Sequence, residues 1–369
     1  MQWTTLAQFS DPFPLSAFPQ PLYRIPALTV TNTGRILVAY DVRSDWRDLP
    51  ADFDIALRTS DDRGQTWSPA RPLRAHTPGH GFGDASLIYD PHTDTVMCWY
   101  VGSQGKSYFT AEKGGEGLEL WLASSTDHGN TWNHRDMSYL RPEYVAGMFC
   151  SSGNGAVAPD GTIFQTFVAR IDGENYAICA HSSDHGQTWH MGEPIGPCCD
   201  ENKVVVTPSG KLLLHARDTP YRRQAISEDN GRTFTQPHPV PALIEPGCNG
   251  GLICVGNTLI ASICADSGGR ARLSLHLSED EGQTWSLPIL VDCGATAYSV
   301  MTALDSDTCA MVWEADNYQR IVYATFDVNE LRALCAFPAT SHEQPLSVPS
   351  WEPRKGTPGY AHPPAVNAN

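Results

Sequence analysis

The 369-residue sequence is short of positive charge: 25 Lys and Arg stand against 41 Asp and Glu, a net charge of −16. A phosphate backbone is held by a basic face, so nucleic acid is excluded as a partner. The same deficit removes any pull toward anionic membranes. Long apolar runs are missing as well, which excludes insertion as a membrane-spanning helix. No Lys or Arg precedes Arg24, and MQWTTLAQFSDPFPL is broken by polar residues and proline, so no secretory leader is expected. There is no CxxC, HExxH or G-x-S-x-G, and the 13 histidines show no ligand spacing. GSQGKS around Lys106 has Tyr100 where a phosphate loop needs its first glycine, and GHGFGD at Gly79 lacks a following helical pattern. The sequence therefore implies neither a metal nor a cofactor.

Cysteine is present but unpatterned. Five of the 11 cysteines (Cys98, Cys179, Cys254, Cys264 and Cys309) lie inside apolar runs, where a thiol acts as a small hydrophobe. That points to a reduced chain and a cytoplasmic location, with secretion by an unrecognised route as the alternative. The neighbours Cys198 and Cys199 leave a disulfide or redox site open.

Turn formers and tryptophan are abundant: Gly 31, Pro 28 and Trp 10. The pattern S-x-D-x-G-x-T-[W/F] occurs five times, starting at Ser60, Ser125, Ser182, Ser227 and Ser278, at spacings of 65, 57, 45 and 51 residues. Each copy follows a strand-like run such as FDIALRTS or LSLHLSED. Asp and Ser can bond nearby amides, Gly accepts a positive φ, and the aromatic ring packs back on the sheet. A calcium-loop reading fails, because each box has one fixed Asp rather than several at alternating positions. Five boxes with box-free sequence at both ends predict an all-β fold, a six-bladed β-propeller of about 52 residues per blade over residues 22–335. Residues 1–342 then form one propeller domain, and the proline-rich stretch 343–369 an extended or disordered tail.

The boxes together with YRIPAL at Tyr23–Leu28 resemble the exo-α-sialidase (neuraminidase) family of Asp-box type, over about residues 20–330. The resemblance implies three arginines gripping a sialic acid carboxylate: Arg24 in the Arg-Ile-Pro element, Arg217 in KLLLHARD, and Arg270 in GGRARLSLHLSEDEGQTW, with Arg272 as rival. Planar bidentate guanidinium suits a carboxylate. Tyr298 in TAYSVMTALD is similar to the family's nucleophile, and Glu201 in DENKVVVTPSGKLLLHARD to its base partner, with Asp200 adjacent. Asp48 in RSDWRDLPADFDI matches the acid/base aspartate, with Asp45, Asp52 and Asp54 as rivals, and apolar closure by Trp46, Leu49 and Pro50 is expected to raise its pKa. Arg43 in AYDVR and Asp84 in GDASLIYD resemble further pocket residues, although Ala85 stands where the family has Pro and the two could simply be paired at the rim. The implied activity is hydrolysis of terminal sialic acids with retention through a tyrosyl intermediate. The implied partners are sialylated glycans, acted on by a monomer. A trans-sialidase or a non-catalytic sialoglycan-binding propeller is the alternative.

Overall fold

The computed structural model describes residues 3–336 except 15 and 17; the stretch 343–369, expected as a tail, lies outside the described residues. Six antiparallel sheets follow one another along the chain as the blades of a propeller. Blade one is Leu22–Val30, Ile36–Arg43, Phe53–Ser60 and Arg71–Arg74, running from the centre outward. Blades two to five begin with Gly81–Asp90, Gly147–Cys150, Asn202–Val206 and Gly251–Val255.

Blade six departs from a simple count along residues 22–335. Its first three strands are Ser299–Ala303, Thr308–Ala315 and Arg320–Asp327, but its outer strand is Thr4–Gln8, from the other end of the chain. The link between third and fourth strands is where the boxes sit in the other blades. In blade six that link is replaced by the helix Val328–Leu334, capped by the Asp327 side chain on the amides of Asn329 and Glu330. The missing sixth box follows from this exchange.

The boxes work as turn clasps. In the first, Ser60 Oγ donates to Asp62 and accepts from Gly64 N, while Asp62 accepts from the amide and hydroxyl of Thr66 at 2.8 and 2.5 Å. The same set recurs at Asp127, Asp184, Asp229 and Asp280. Gly64 has φ +87°, and a Cβ there would collide with the Tyr323 ring of blade six, so this turn also seats one blade against the next. Between blades two and three, Trp99 meets Phe167 and Trp189 edge-on, with centroids 5.2 and 5.0 Å apart.

The inner strand of blade three is interrupted by an excursion. Gly153–Asn154 leaves its own sheet and pairs parallel with Gly81–Asp90 of blade two, while Asn154 Nδ2 donates to the Met301 carbonyl of blade six at 2.8 Å. All eleven cysteines carry free thiols; Cys199 is buried and Cys198 exposed. No described helix is long and apolar enough to cross a membrane.

Candidate active site

Strand direction decides where chemistry can gather. In each blade the first strand starts, the second ends and the third starts at one end of the ring, and the third ends at the other, in a box in blades one to five and in the helix in blade six. Arg24 and Tyr298 lie at first-strand starts, Arg43 and Arg217 at second-strand ends, and Arg270 just before a third strand. Glu201 immediately precedes the inner strand of blade four. All of them therefore share the end opposite the boxes.

At the centre, the Tyr298 hydroxyl donates to Glu201 Oε2 at 2.5 Å. Arg217 Nη1 donates to the same carboxylate oxygen at 2.6 Å and to the Tyr298 oxygen at 3.2 Å. Tyr298 is buried, at 8% exposure. Burial pushes its phenol well above the ordinary range, the Glu201 charge adds to this, and Arg217, Arg270 and Arg24 oppose it. The phenol is therefore neutral at rest and already bonded to a carboxylate.

Two more guanidiniums face the same ring: Arg24 and Arg270 each lie 5.3 Å from the Tyr298 centroid. Arg24 is held by Glu314, with Nε 3.1 Å from Oε1 and Nη2 3.3 Å from Oε2. Glu314 is fully buried and also accepts from the amides of Ile25 and Tyr298. Arg270 donates to the Tyr318 hydroxyl at 3.1 Å and to the Gly247 carbonyl at 2.9 Å. Arg270, rather than Arg272, stands over the tyrosine. Beside Arg217 opens a cavity of about 470 Å³, with Phe109, Arg170, Asn175 and Asp218 in its wall.

Asp48 lies on the loop between the second and third strands of blade one, and Arg43 Nη1 donates to its Oδ1 at 2.9 Å. Its rivals are occupied elsewhere. Asp45 pairs with Arg47 at 2.6 Å, Asp52 caps the Gly79 amide, and Asp54 holds His76 at 2.7 Å. The expectation of a raised Asp48 pKa is corrected by the structure. Desolvation does push it up, but Arg43, Arg24 and Arg270 outweigh this and hold it below the ordinary value. The apolar closure is not in place: the Asp48 side chain is 81% exposed, and Trp46 packs edge-on against Tyr318, 5.1 Å away.

Arg43 is clamped from below by Asp41 at 2.7 Å, and Asp41 also accepts from the Asp84 amide at 3.0 Å. Burial pushes Asp41 up to about 6 and Asp84 well above the carboxylate range, where the Asp41 charge adds to the effect. Asp84 has φ +57°, a strained backbone that aims its side chain against this group. No motif in the sequence marks Asp41, Glu314, Tyr318 or Asn249. A signal existed for two of them: Asp41 and Glu314 are single carboxylates inside the apolar runs ILVAYDVR and TCAMVWEA. A charge in a strand that is otherwise buried needs a cationic partner.

A BNR repeat-like domain model matches residues 34–309. A sialidase of Micromonospora viridifaciens is 32% identical over 344 residues, covering 86% of this chain and 53% of its own. Sialidase-2 of Cricetulus griseus is 26% identical over 362 residues, covering 86% of this chain and 94% of its own. Among solved structures, the Hadza microbial sialidase Hz136 superposes with a TM-score of 0.78 at 29% identity, over 84% of this chain and 66% of that one. The chain thus spans about half the length of the Micromonospora relative and nearly all of the hamster one.

Proposed function

The chain belongs to the BNR-repeat sialidases, and on that premise we propose that it is an exo-α-sialidase working with retention of configuration. One observation carries the proposal: a neutral phenol bonded to a carboxylate at 2.5 Å, with three guanidiniums around it. The substrate's anomeric carbon bears a carboxylate, which would repel a carboxylate nucleophile. A tyrosine avoids that repulsion.

Arg24, Arg217 and Arg270 take the substrate carboxylate. The Tyr298 oxygen bonds to the anomeric carbon while its proton passes to Glu201, and the leaving oxygen takes a proton from Asp48. Water then attacks the glycosyl-tyrosine, giving its proton to Asp48, and Tyr298 leaves with the proton returned by Glu201. Arg217 Nη1 donates to Glu201 Oε2, the oxygen that must accept the phenolic proton. The substrate carboxylate also offsets the arginine charge that lowers Asp48. The Asp48 pKa therefore rises as the complex forms, toward that of a usable general acid.

Release of a fluorogenic aglycone from an α-sialoside tests the reading, with NMR of the first-formed sugar giving the stereochemistry. An α-anomer as first product is expected. A folded wild type that releases nothing, or a β-anomer as first product, would overturn it.

A further inference from the structure

Among the described residues, Lys203 is the one strongly buried lysine, and the chemistry above leaves its role open. It sits on the inner strand of blade four, two residues after Glu201, and is only 1% exposed. It faces the chain excursion at the ring centre, where a Cβ on Gly153 would stand 2.8 Å from Lys203 Cε and press on the end of its side chain. Its two hydrogen bonds go to neutral acceptors, the Asn202 carbonyl at 3.3 Å and Asn249 Oδ1 at 2.8 Å. Burial pulls its pKa down to about 7, against the opposing pull of the Glu201 charge; as an ammonium it can donate but not accept, so Asn249 turns its oxygen to Lys203. Its amide nitrogen then points the other way, to Ser152 Oγ at 3.0 Å and to Glu201 Oε1 at 3.4 Å.

We propose that Lys203 is a positioning residue for the Tyr298–Glu201 pair, acting through Asn249. The ammonium sets which end of the Asn249 amide meets Glu201, and the amide N–H holds Oε1. Oε2 is thereby left to Tyr298 and Arg217. Without Lys203, Asn249 Oδ1 loses the donor that fixes it, and the orientation rests on the nitrogen side alone, on Glu201 Oε1 and on the Ser152 hydroxyl and carbonyl at 3.0 and 3.4 Å. Flipped, it would place a carbonyl oxygen against a carboxylate. The role rests on the sialidase reading of the Tyr298–Glu201 pair.

The test measures kcat, KM and melting temperature on a fluorogenic α-sialoside for Lys203→Met, Asn249→Ala, the double variant and Asn249→Asp. The arginines that bind substrate are untouched, so KM should stay within about twofold while kcat falls roughly 10- to 100-fold in both single variants. The double variant should be no slower than the slower single variant, because both remove the same restraint. Asn249→Asp keeps the fold by pairing with Lys203 but presents an acceptor to Glu201. It should lose kcat without losing melting temperature. Multiplicative losses in the double variant, or an Asn249→Asp enzyme with wild-type kcat, would overturn the positioning role while leaving the sialidase reading intact. An inactive wild type would overturn both.

Discussion

The two ends of this propeller use carboxylates in opposite ways. At the box end the fixed aspartate of each box is satisfied by two hydroxyls and an amide within four residues of itself. At the other end the partners are far apart in sequence: 290 residues separate Arg24 from Glu314 and 97 separate Tyr298 from Glu201. The box carboxylates lie in water and their hydrogen bonds pull their pKa values down. Those of Asp41 and Asp84 are buried and pushed up. Acidic residues closed by local bonds build the scaffold; acidic residues closed by distant ones leave charge arranged for a ligand.

This contrast predicts a gradient of effects. The largest belongs to Tyr298→Phe, which removes the oxygen proposed to attack and should cut hydrolysis on the order of 10³-fold with little change in melting temperature. Full activity in that variant would refute the nucleophile assignment. Asp48→Ala should lose about 10²- to 10⁴-fold on substrates with a poor leaving group. Much less should be lost with an activated phenol, which needs no proton to depart, and a comparison of the two substrates in steady state would show it.

Arg24→Ala should damage both ends of the argument at once. It raises KM by removing a carboxylate contact, and it leaves Glu314 buried without its cation. Breaking a buried pair in this way costs about 3–5 kcal/mol, readable by denaturant titration. A stable Arg24→Ala protein would mean that the two amides on Glu314 suffice. Asp280→Ala at the box end should cost about 1 kcal/mol and leave kcat unchanged. A fall in kcat there would break the division between the ends.

The smallest effects are in pH. The free-enzyme Asp48 pKa is depressed, and a bound carboxylate relieves the depression. The alkaline limb of kcat should therefore lie at higher pH than that of kcat/KM. Coincident limbs would argue against arginine control of Asp48. For stability the sign runs the other way. Asp184 and Asp229 are lowered to about 2 in the fold, so their contribution is present above the unfolded value near 4. It is lost as pH falls from there through about 2. Acid unfolding monitored through a box tryptophan such as Trp189 should follow that window.

The same division explains what could be read in advance. The boxes are legible because their bonds are local, so spacing alone marks the blades and their turns. Arg24, Arg217, Arg270, Glu201, Asp48 and Tyr298 were singled out by their flanking motifs, and the ring brings them to one end. Asp41 and Glu314 were passed over because a lone acid in an apolar strand gains meaning only beside its partner, and Arg24 lies 290 residues from Glu314. Asn249 carries no motif of its own; its importance comes from the lysine behind it. The lowered Asp48 pKa escapes the sequence for a related reason: Trp46 and Leu49 stand next to it there, but the convergence of three arginines from two blades does not show. Thr4–Gln8 offered no cue, being a short polar strand whose mate begins at Arg320.

That outer strand sets an order of events during synthesis. Thr4–Gln8 leaves the ribosome ahead of every other strand of the ring, yet its hydrogen-bonding edge, Arg320–Tyr323, is among the last parts of the ring to emerge. Five blades can form as local hairpins while the earliest-made strand waits unpaired. Ring closure is then a single late, long-range step, of the kind that slows folding and leaves sheet edges open to mispairing.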